Sequence, residues 1–139
     1  MLQRDYLVAQ FQQFAEAIRL SIMKARGENP DPLAAADQLE LALGSATSID
    51  GATLLLLSPD TIAGILQVTD TDPDVVEYLV RTLLLESEYL EEAGGVSRSQ
   101  LRHEQAQAIA QAYGIALSGV RFSEEEFEEF YQRSINRGK

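Results

Sequence analysis

The stretch of residues 72–94, DPDVVEYLVRTLLLESEYLEEAG, constrains the fold most, because it predicts one long helix that is apolar around most of its circumference. Asp72 is a favourable N-cap residue, Pro73 is favourable at the first helical position, and Gly94 is favourable just after the end of a helix. At about 100° per residue the apolar residues form two adjacent stripes. These are Val76, Leu79, Val80, Leu83 and Leu90, and beside them Val75, Tyr78, Leu85 and Tyr89. Two stripes predict partners on two sides, as inside a helical bundle.

The length and composition predict one globular domain over residues 1–139. A chain of 139 residues is long enough to bury a core of its own. Its 45% hydrophobic and 24% charged content is ordinary for a globular protein. The sequence has no cysteine, which excludes disulfides and thiolate chemistry. With a first segment, MLQRDYLVAQ, that lacks the apolar core of a secretion signal, we expect a cytoplasmic protein.

The formal net charge of −11 is concentrated in the middle of the chain. Residues 28–97 hold 14 acids and 1 base, a balance of −13, whereas residues 1–27 hold 2 acids and 4 bases, and residues 98–139 hold 6 of each. Nucleic acids and anionic membranes are bound through lysine and arginine, so this acidic block argues against both. The longest apolar runs also fall far short of the roughly 20 residues that cross a bilayer.

Residues 2–26 predict a long amphipathic helix with apolar residues at three- and four-residue steps. Its stripe consists of Leu7, Phe11, Phe14, Ile18, Ile22 and Ala25. Such stripes are most often core, although a membrane surface or a partner's groove are alternatives. The stripe can pack in the core of one chain or against a second copy in a homodimer. The candidate dimer face consists of Tyr6, Phe11, Phe14 and Ile18.

Start and stop signals predict further helices along the chain. Asp31 and Pro32 begin a helix that runs to about Leu43 and ends at Gly44. Residues 44–52 form a loop, residues 54–57 give one or two helical turns, and a short helix follows over residues 58–66. The boundaries between residues 44 and 66 are the least determined of the chain.

Two helices are expected after residue 94. Ser97 or Ser99 caps the first, which runs to about Leu117 and returns along the central helix as an antiparallel hairpin. Its inner stripe is Ser99, His103, Ala106, Ala110, Tyr113 and Leu117. The second runs from Ser123 to about Asn136. It begins with a capping box and a hydrophobic staple formed by Ser123, Glu126, Phe122 and Phe127.

One charge, Glu86, lies within the apolar arc of the central helix, and His103 lies on the inner stripe of the next. The hairpin alignment brings these two faces together. A buried carboxylate must find a partner or become neutral, so Glu86 and His103 are the candidate buried polar pair. There are three alternatives. The two side chains satisfy each other's hydrogen bonds as part of the core, they form a functional site with perturbed pKa values, or Glu86 reaches solvent so that no pair exists.

Three stretches, RDYLVAQFQQF at 4–14, LLLSPDTIAGI at 55–65 and LLLESEYLEEAG at 83–94, resemble small uncharacterised bacterial proteins whose helical hairpins look like tetratricopeptide (TPR) repeats. The TPR repeat has a pattern of small, large, glycine, small, aromatic and alanine positions. In this chain they fall on Ser87, Leu90, Gly94, Ser99, His103 and Ala106, so two serines stand for glycine or alanine and the histidine stands for the aromatic residue. One hairpin matches well, and a repeat array needs three or more. The resemblance therefore implies an all-α, compact TPR-like bundle of about five to six helices. It comprises a body over residues 2–117 and a C-terminal capping helix over residues 118–139.

No enzyme signature is found in the sequence. Phosphate-cradling glycine loops, a serine elbow and paired zinc histidines are all absent. Asp70, Asp72 and Asp74 imitate the start of a calcium loop, but Val75 stands where its glycine belongs and Arg81 where its glutamate belongs. We therefore expect no metal, no cofactor and no catalytic activity. The predicted function is a protein-interaction or adaptor module, and the alternative is a small-molecule-binding or catalytic bundle that uses Glu86 and His103.

Overall fold

The computed structural model describes residues 2–46, 55–68 and 73–116, together with residues 129 and 132. Within this part of the chain the fold is all-α, with five helices and no strand, as predicted. The helices are α1 (Leu2–Arg26), α2 (Pro32–Ala46), α3 (Pro59–Val68), α4 (Pro73–Glu92) and α5 (Val96–Tyr113). None of them combines the length and the apolar character that a membrane crossing requires.

Helix α4 is the centre of the bundle. It packs against α5 and α2 and also touches α1, while α2 packs on α1 and α3 packs on α5. Both predicted stripes are buried, and Tyr78 and Tyr89 are fully so. This confirms that α4 has partners on two sides, since a helix with apolar residues around most of its surface must be covered around most of its surface.

Helices α1 and α2 form a hairpin joined by residues 27–31. The Asp31 Oδ1 atom accepts a hydrogen bond from the backbone N–H of Ala34 at 3.1 Å, so Asp31 is the predicted N-cap of α2. The predicted end of α2 is wrong, because the helix continues through Gly44 to Ala46. Arg26, at the end of α1, forms two hydrogen bonds of 3.0 and 3.2 Å to the carboxylate of Glu92, which joins the hairpin to the end of α4.

The candidate dimer face on α1 changes in one respect. Ile18 is completely buried within the chain, so it is a core residue and not part of an exposed seam. The side chains of Tyr6, Phe11 and Phe14 lie outside the described residues. A homodimer through α1 therefore stays a prediction that involves these three aromatic residues.

The region between α2 and α4 contains the predicted short helix as α3. The backbone N–H of Thr61 donates to Ser58 Oγ at 3.4 Å, which caps α3 as expected. Leu55 is buried, whereas residues 47–54 and 69–72, including the proposed Asp72 cap, lie outside the described residues. The same holds for residues 117–128 with the capping box and staple, and for the last helix except residues 129 and 132, both of which are helical.

Alanine substitutions at Gly94 and Gly64 should change stability in opposite directions. Gly94 has a φ of +89°, which disfavours any L side chain, so Gly94→Ala is expected to cost about 1–2 kcal/mol. Gly64 lies inside α3, and a Cβ there would have nothing within 4 Å, so Gly64→Ala is expected to stabilise by about 1 kcal/mol. Urea unfolding measures both changes. A Gly94→Ala variant as stable as the wild type would contradict the positive φ in the α4–α5 turn, and a destabilised Gly64→Ala variant would contradict the open helical position in α3.

Candidate functional site: a buried carboxyl network and an adjoining cleft

Glu86 lies on α4 at the packed junction of three helices, and its side chain is completely buried. Its Oε2 atom accepts a hydrogen bond from Nε of Arg102 on α5 at 3.0 Å. The Arg102 side chain is itself only 8% exposed. A buried carboxyl group thus has a buried guanidinium partner, which is the arrangement that makes such a burial tolerable.

The guanidinium of Arg102 holds three further groups. Nη1 donates to the carbonyl oxygen of Leu55 at 3.0 Å and to Oε1 of Gln105 at 3.2 Å. Nη2 donates to Oε1 of Glu40 on α2 at 3.3 Å. Because a guanidinium presents its donors in a fixed planar fork, one side chain sets the relative positions of α2, α4, α5 and the backbone at Leu55.

Gln105 completes the contact with the segment that precedes α3. Its Nε2 atom donates to the carbonyl oxygens of Leu55 at 3.1 Å and of Leu57 at 2.8 Å. The buried amide of Gln105 thus supplies one donor to each of two backbone carbonyls of this segment. The segment 55–57 is thereby held against α5.

Glu40 is the second carboxyl group of the network and is more exposed than Glu86, with 27% of its side chain accessible. Its Oε1 atom also accepts from Arg98 Nη2 at 2.8 Å. Burial alone would raise the pKa of Glu40, but its hydrogen bond with Glu86 and the charges of Arg102 and Arg98 lower that pKa below the ordinary value. Glu40 is therefore the stable site for the negative charge.

The pKa of Glu86 moves in the opposite direction, well above its ordinary value of 4.5. Burial is the main cause, because it penalises the charged form, and the hydrogen bond with Glu40 adds to the increase. The positive charge of Arg102 opposes it without reversing it. The two carboxyl groups consequently differ in their tendency to hold a proton.

The structure pairs Glu86 with Arg102, where the sequence predicted His103. Glu86 is buried as predicted, but His103 is half-exposed and lies among the residues of a separate surface cleft. Consecutive residues of a helix point about 100° apart, so the face that carries Arg102 and Gln105 toward the network turns His103 away from it. The signal in the sequence was the spacing of Arg102, Gln105 and Ile109, which are all buried on α5.

Ser87 and Ser99 form a reciprocal contact between α4 and α5. Ser87 Oγ donates to the carbonyl oxygen of Ser99 at 2.8 Å, and Ser99 Oγ donates to the carbonyl oxygen of Ser87 at 2.6 Å. The two hydroxyl oxygens are 3.0 Å apart. Because side chains this small leave room for the two backbones to approach, the helices lie close together here. Ser99 is thus an interhelical contact and not the predicted cap, and Gly95 occupies the N-cap position of α5.

A cleft of about 490 Å³ lies where these serines meet the surface of the α4–α5 hairpin. Its lining consists of Leu84, Ser87, Glu88, Glu91, Val96, Ser99, Gln100 and His103. The apolar contribution comes from the buried Leu84 and from Val96, which is 64% exposed. Two carboxylates and one imidazole supply its ionisable groups, which suits a ligand with both cationic and aliphatic parts.

Glu86 is not among the residues that line this cleft. The described part of the chain also contains no group of three or more histidine, aspartate or glutamate side chains arranged to hold a metal ion. Comparison of the chain with protein-family models, with curated proteins and with solved structures finds no match.

Proposed function

We propose that this chain is a TPR-like helical interaction module that binds a basic segment of a partner protein in the cleft on its α4–α5 hairpin. The observation that carries the proposal is the lining of that cleft. Glu88 and Glu91 on α4 lie on its wall together with Leu84, and Val96 contributes a largely exposed apolar surface from α5. A lysine or arginine side chain combines a cation with an aliphatic stem, and the cleft offers a complement to both parts.

The helix arrangement supports the TPR-like part of the proposal. The α1–α2 hairpin is followed by the α4–α5 hairpin, with α2 packed on α4 and α1 in contact with α4. Consecutive hairpins that stack through neighbouring helices are the principle of helical repeat proteins. Here α3 lies between the two hairpins in sequence and packs on α5, which gives a bundle in place of a regular array.

The charge distribution supports a basic ligand. Five of the eight residues that line the cleft, including both of its glutamates, belong to the acidic block of residues 28–97, which carries 14 acids and 1 base. Such a field attracts cationic segments and repels acidic ones, so it acts on the choice of partner and on the association rate. Glu91 is exposed and Glu88 is partly exposed, and carboxylates that water reaches contribute modestly to affinity, so we expect weak, salt-dependent binding.

The test uses a fluorescein-labelled peptide of about ten residues in which lysine and leucine alternate, so that it carries both chemical features of the ligand. We expect the double variant Glu88→Gln/Glu91→Gln to bind this peptide about fivefold to tenfold more weakly than the wild type in fluorescence anisotropy. A matched peptide with glutamate in place of lysine is expected not to bind.

The control variant is Glu16→Gln/Asp37→Asn, which changes the net charge equally at two exposed acids of α1 and α2. It should leave the peptide affinity unchanged. If both double variants weakened peptide binding equally, the peptide would be responding to the overall charge of the protein, and the cleft could not be assigned as the binding site. Equal peptide affinities for the wild type and for Glu88→Gln/Glu91→Gln would also exclude the cleft as the binding site.

A further inference from the structure

Two carboxyl groups meet at the junction of α2, α4 and α5. Glu86 and Glu40 accept from the same guanidinium, Glu86 from Nε of Arg102 at 3.0 Å and Glu40 from Nη2 at 3.3 Å, yet two ionised carboxylates can only accept hydrogen bonds. The Oε2 atom of Glu86 receives its donor from Arg102, whereas Oε1 is buried and receives no donor from the described residues. A buried oxygen without a donor is costly, and one proton between the two groups removes that cost.

We propose that Glu86 and Glu40 form a proton-binding site in which the proton lies on Glu86 and its O–H donates to the carboxylate of Glu40. The geometry decides which group is neutral. Glu86 is fully buried and has one guanidinium donor, whereas 27% of the Glu40 side chain is exposed and Glu40 accepts from both Arg98 and Arg102. The charge is stabilised at Glu40 by water and two cations, so the proton belongs at the dry position.

The charged groups around this site come from all three helices. Glu40 projects from α2, Glu86 from α4, and Arg98 and Arg102 from α5, while Gln105 contributes a neutral amide. Protonation of Glu86 leaves one carboxylate shared by two guanidinium groups. The directions of the two pKa shifts, upward for Glu86 because of burial and downward for Glu40 because of its hydrogen bond and its cations, agree with this placement.

The proton makes the stability of the junction depend on pH. From about pH 4.5 up to the folded-state pKa of Glu86, the folded chain holds a proton that the unfolded chain has released. The free energy of unfolding therefore falls as the pH rises through this window. Glu40 contributes the opposite dependence, since its stabilisation is lost as the pH falls below 4.5 through its lowered pKa.

The substitution Glu86→Gln tests the proposal, because an amide can accept from Arg102 with its oxygen and donate to Glu40 with its nitrogen at every pH. We expect the urea midpoint of the wild type to fall as the pH rises from about 5 through the folded-state pKa of Glu86, and that of Glu86→Gln to stay nearly constant over the same range. The matched control, Glu104→Gln, removes an exposed acid of α5 and should keep the wild-type slope. An unchanged slope in Glu86→Gln would overturn the proposal.

A second measurement on the wild type decides the matter even if Glu86→Gln fails to fold. In a protein labelled with ¹³C at the glutamate carboxyl carbons, the resonance absent from the Glu86→Asp spectrum is assigned to Glu86. We expect this resonance to titrate well above the ordinary glutamate range, and that of Glu40, assigned in the same way, to titrate below it. A Glu86 carboxyl that ionises at or below 4.5 would exclude the proton-binding site. The site does not depend on which ligand occupies the cleft.

Discussion

Replacing Arg102 with methionine is expected to lower the free energy of unfolding by about 3–5 kcal/mol, because several buried acceptors lose a donor at once and each such loss costs about 1–3 kcal/mol. The substitution keeps most of the apolar stem but deletes every donor. Glu86 then loses the partner of Oε2, Glu40 loses one cation, and the carbonyl oxygen of Leu55 loses one of two donors. Urea unfolding monitored by circular dichroism at constant pH measures the loss.

Arg98 provides the control for this prediction. It lies four residues earlier on the same helix and binds Glu40, which Arg102 also binds. Its side chain is 47% exposed and donates to Glu40 at 2.8 Å. Arg98→Met is expected to cost about 0–1 kcal/mol, as exposed ion pairs do. Comparable small losses for both methionine variants would mean that Arg102 is solvated in solution and that the network does not hold the three helices.

The same network allows a double substitution to separate pairing from burial. Glu86→Leu/Arg102→Met leaves no buried carboxyl group without a donor between α4 and α5, so it should be more stable than Arg102→Met alone. The difference between the double variant and the sum of the single variants measures the coupling of the two side chains. A purely additive result would contradict direct pairing.

The burial of Glu86 could be predicted from the sequence, because a residue that lies within two apolar stripes is covered by the same helices that cover the stripes. The sequence was not sufficient to predict the partner. Arginine is nearly always exposed, so the sequence pattern favours His103 over Arg102 for the inner stripe, although the two residues are adjacent. The third participant, Glu40, comes from α2, and only the packing of α2 on α4 brings it to the site.

The order of the five described helices follows the prediction, and the errors lie at helix ends. The prediction that α5 runs to about Leu117 is wrong, because the helix ends at Tyr113, where Gly114 adopts a left-handed conformation with a φ of +66°. Gly44 is a good helix stop in sequence, yet α2 continues past it to Ala46. Ser97 and Ser99 are good caps in sequence, yet α5 begins at Val96 after Gly95. Ser99 has another role because its position on α5 faces Ser87 on α4, with 3.0 Å between the two hydroxyl oxygens.

Replacing Ser99 with leucine is therefore expected to cost about 2–4 kcal/mol of unfolding free energy, through overpacking and through lost hydrogen bonds. Ser99 is only 6% exposed, and its Oγ atom is 3.0 Å from that of Ser87. A leucine there loses the hydrogen bond from Ser99 Oγ to the carbonyl oxygen of Ser87 and must either push α4 and α5 apart or turn into the adjoining cleft. Separation would also move Arg102, which lies one turn further along α5 and bonds to Glu86 at 3.0 Å.

Ser97→Leu distinguishes this contact from helix capping, since Ser97 is the same residue type on the same helix but is exposed. If Ser97 capped α5, its loss would cost about 0.5–2 kcal/mol. Because Gly95 is at the N-cap position and no side-chain cap is present, Ser97→Leu is expected to stay within about 0.5 kcal/mol of the wild type. Thermal and urea unfolding of both leucine variants gives the comparison. A Ser97→Leu variant less stable than Ser99→Leu would restore the capping interpretation and remove the serine contact as the feature that sets the distance between α4 and α5.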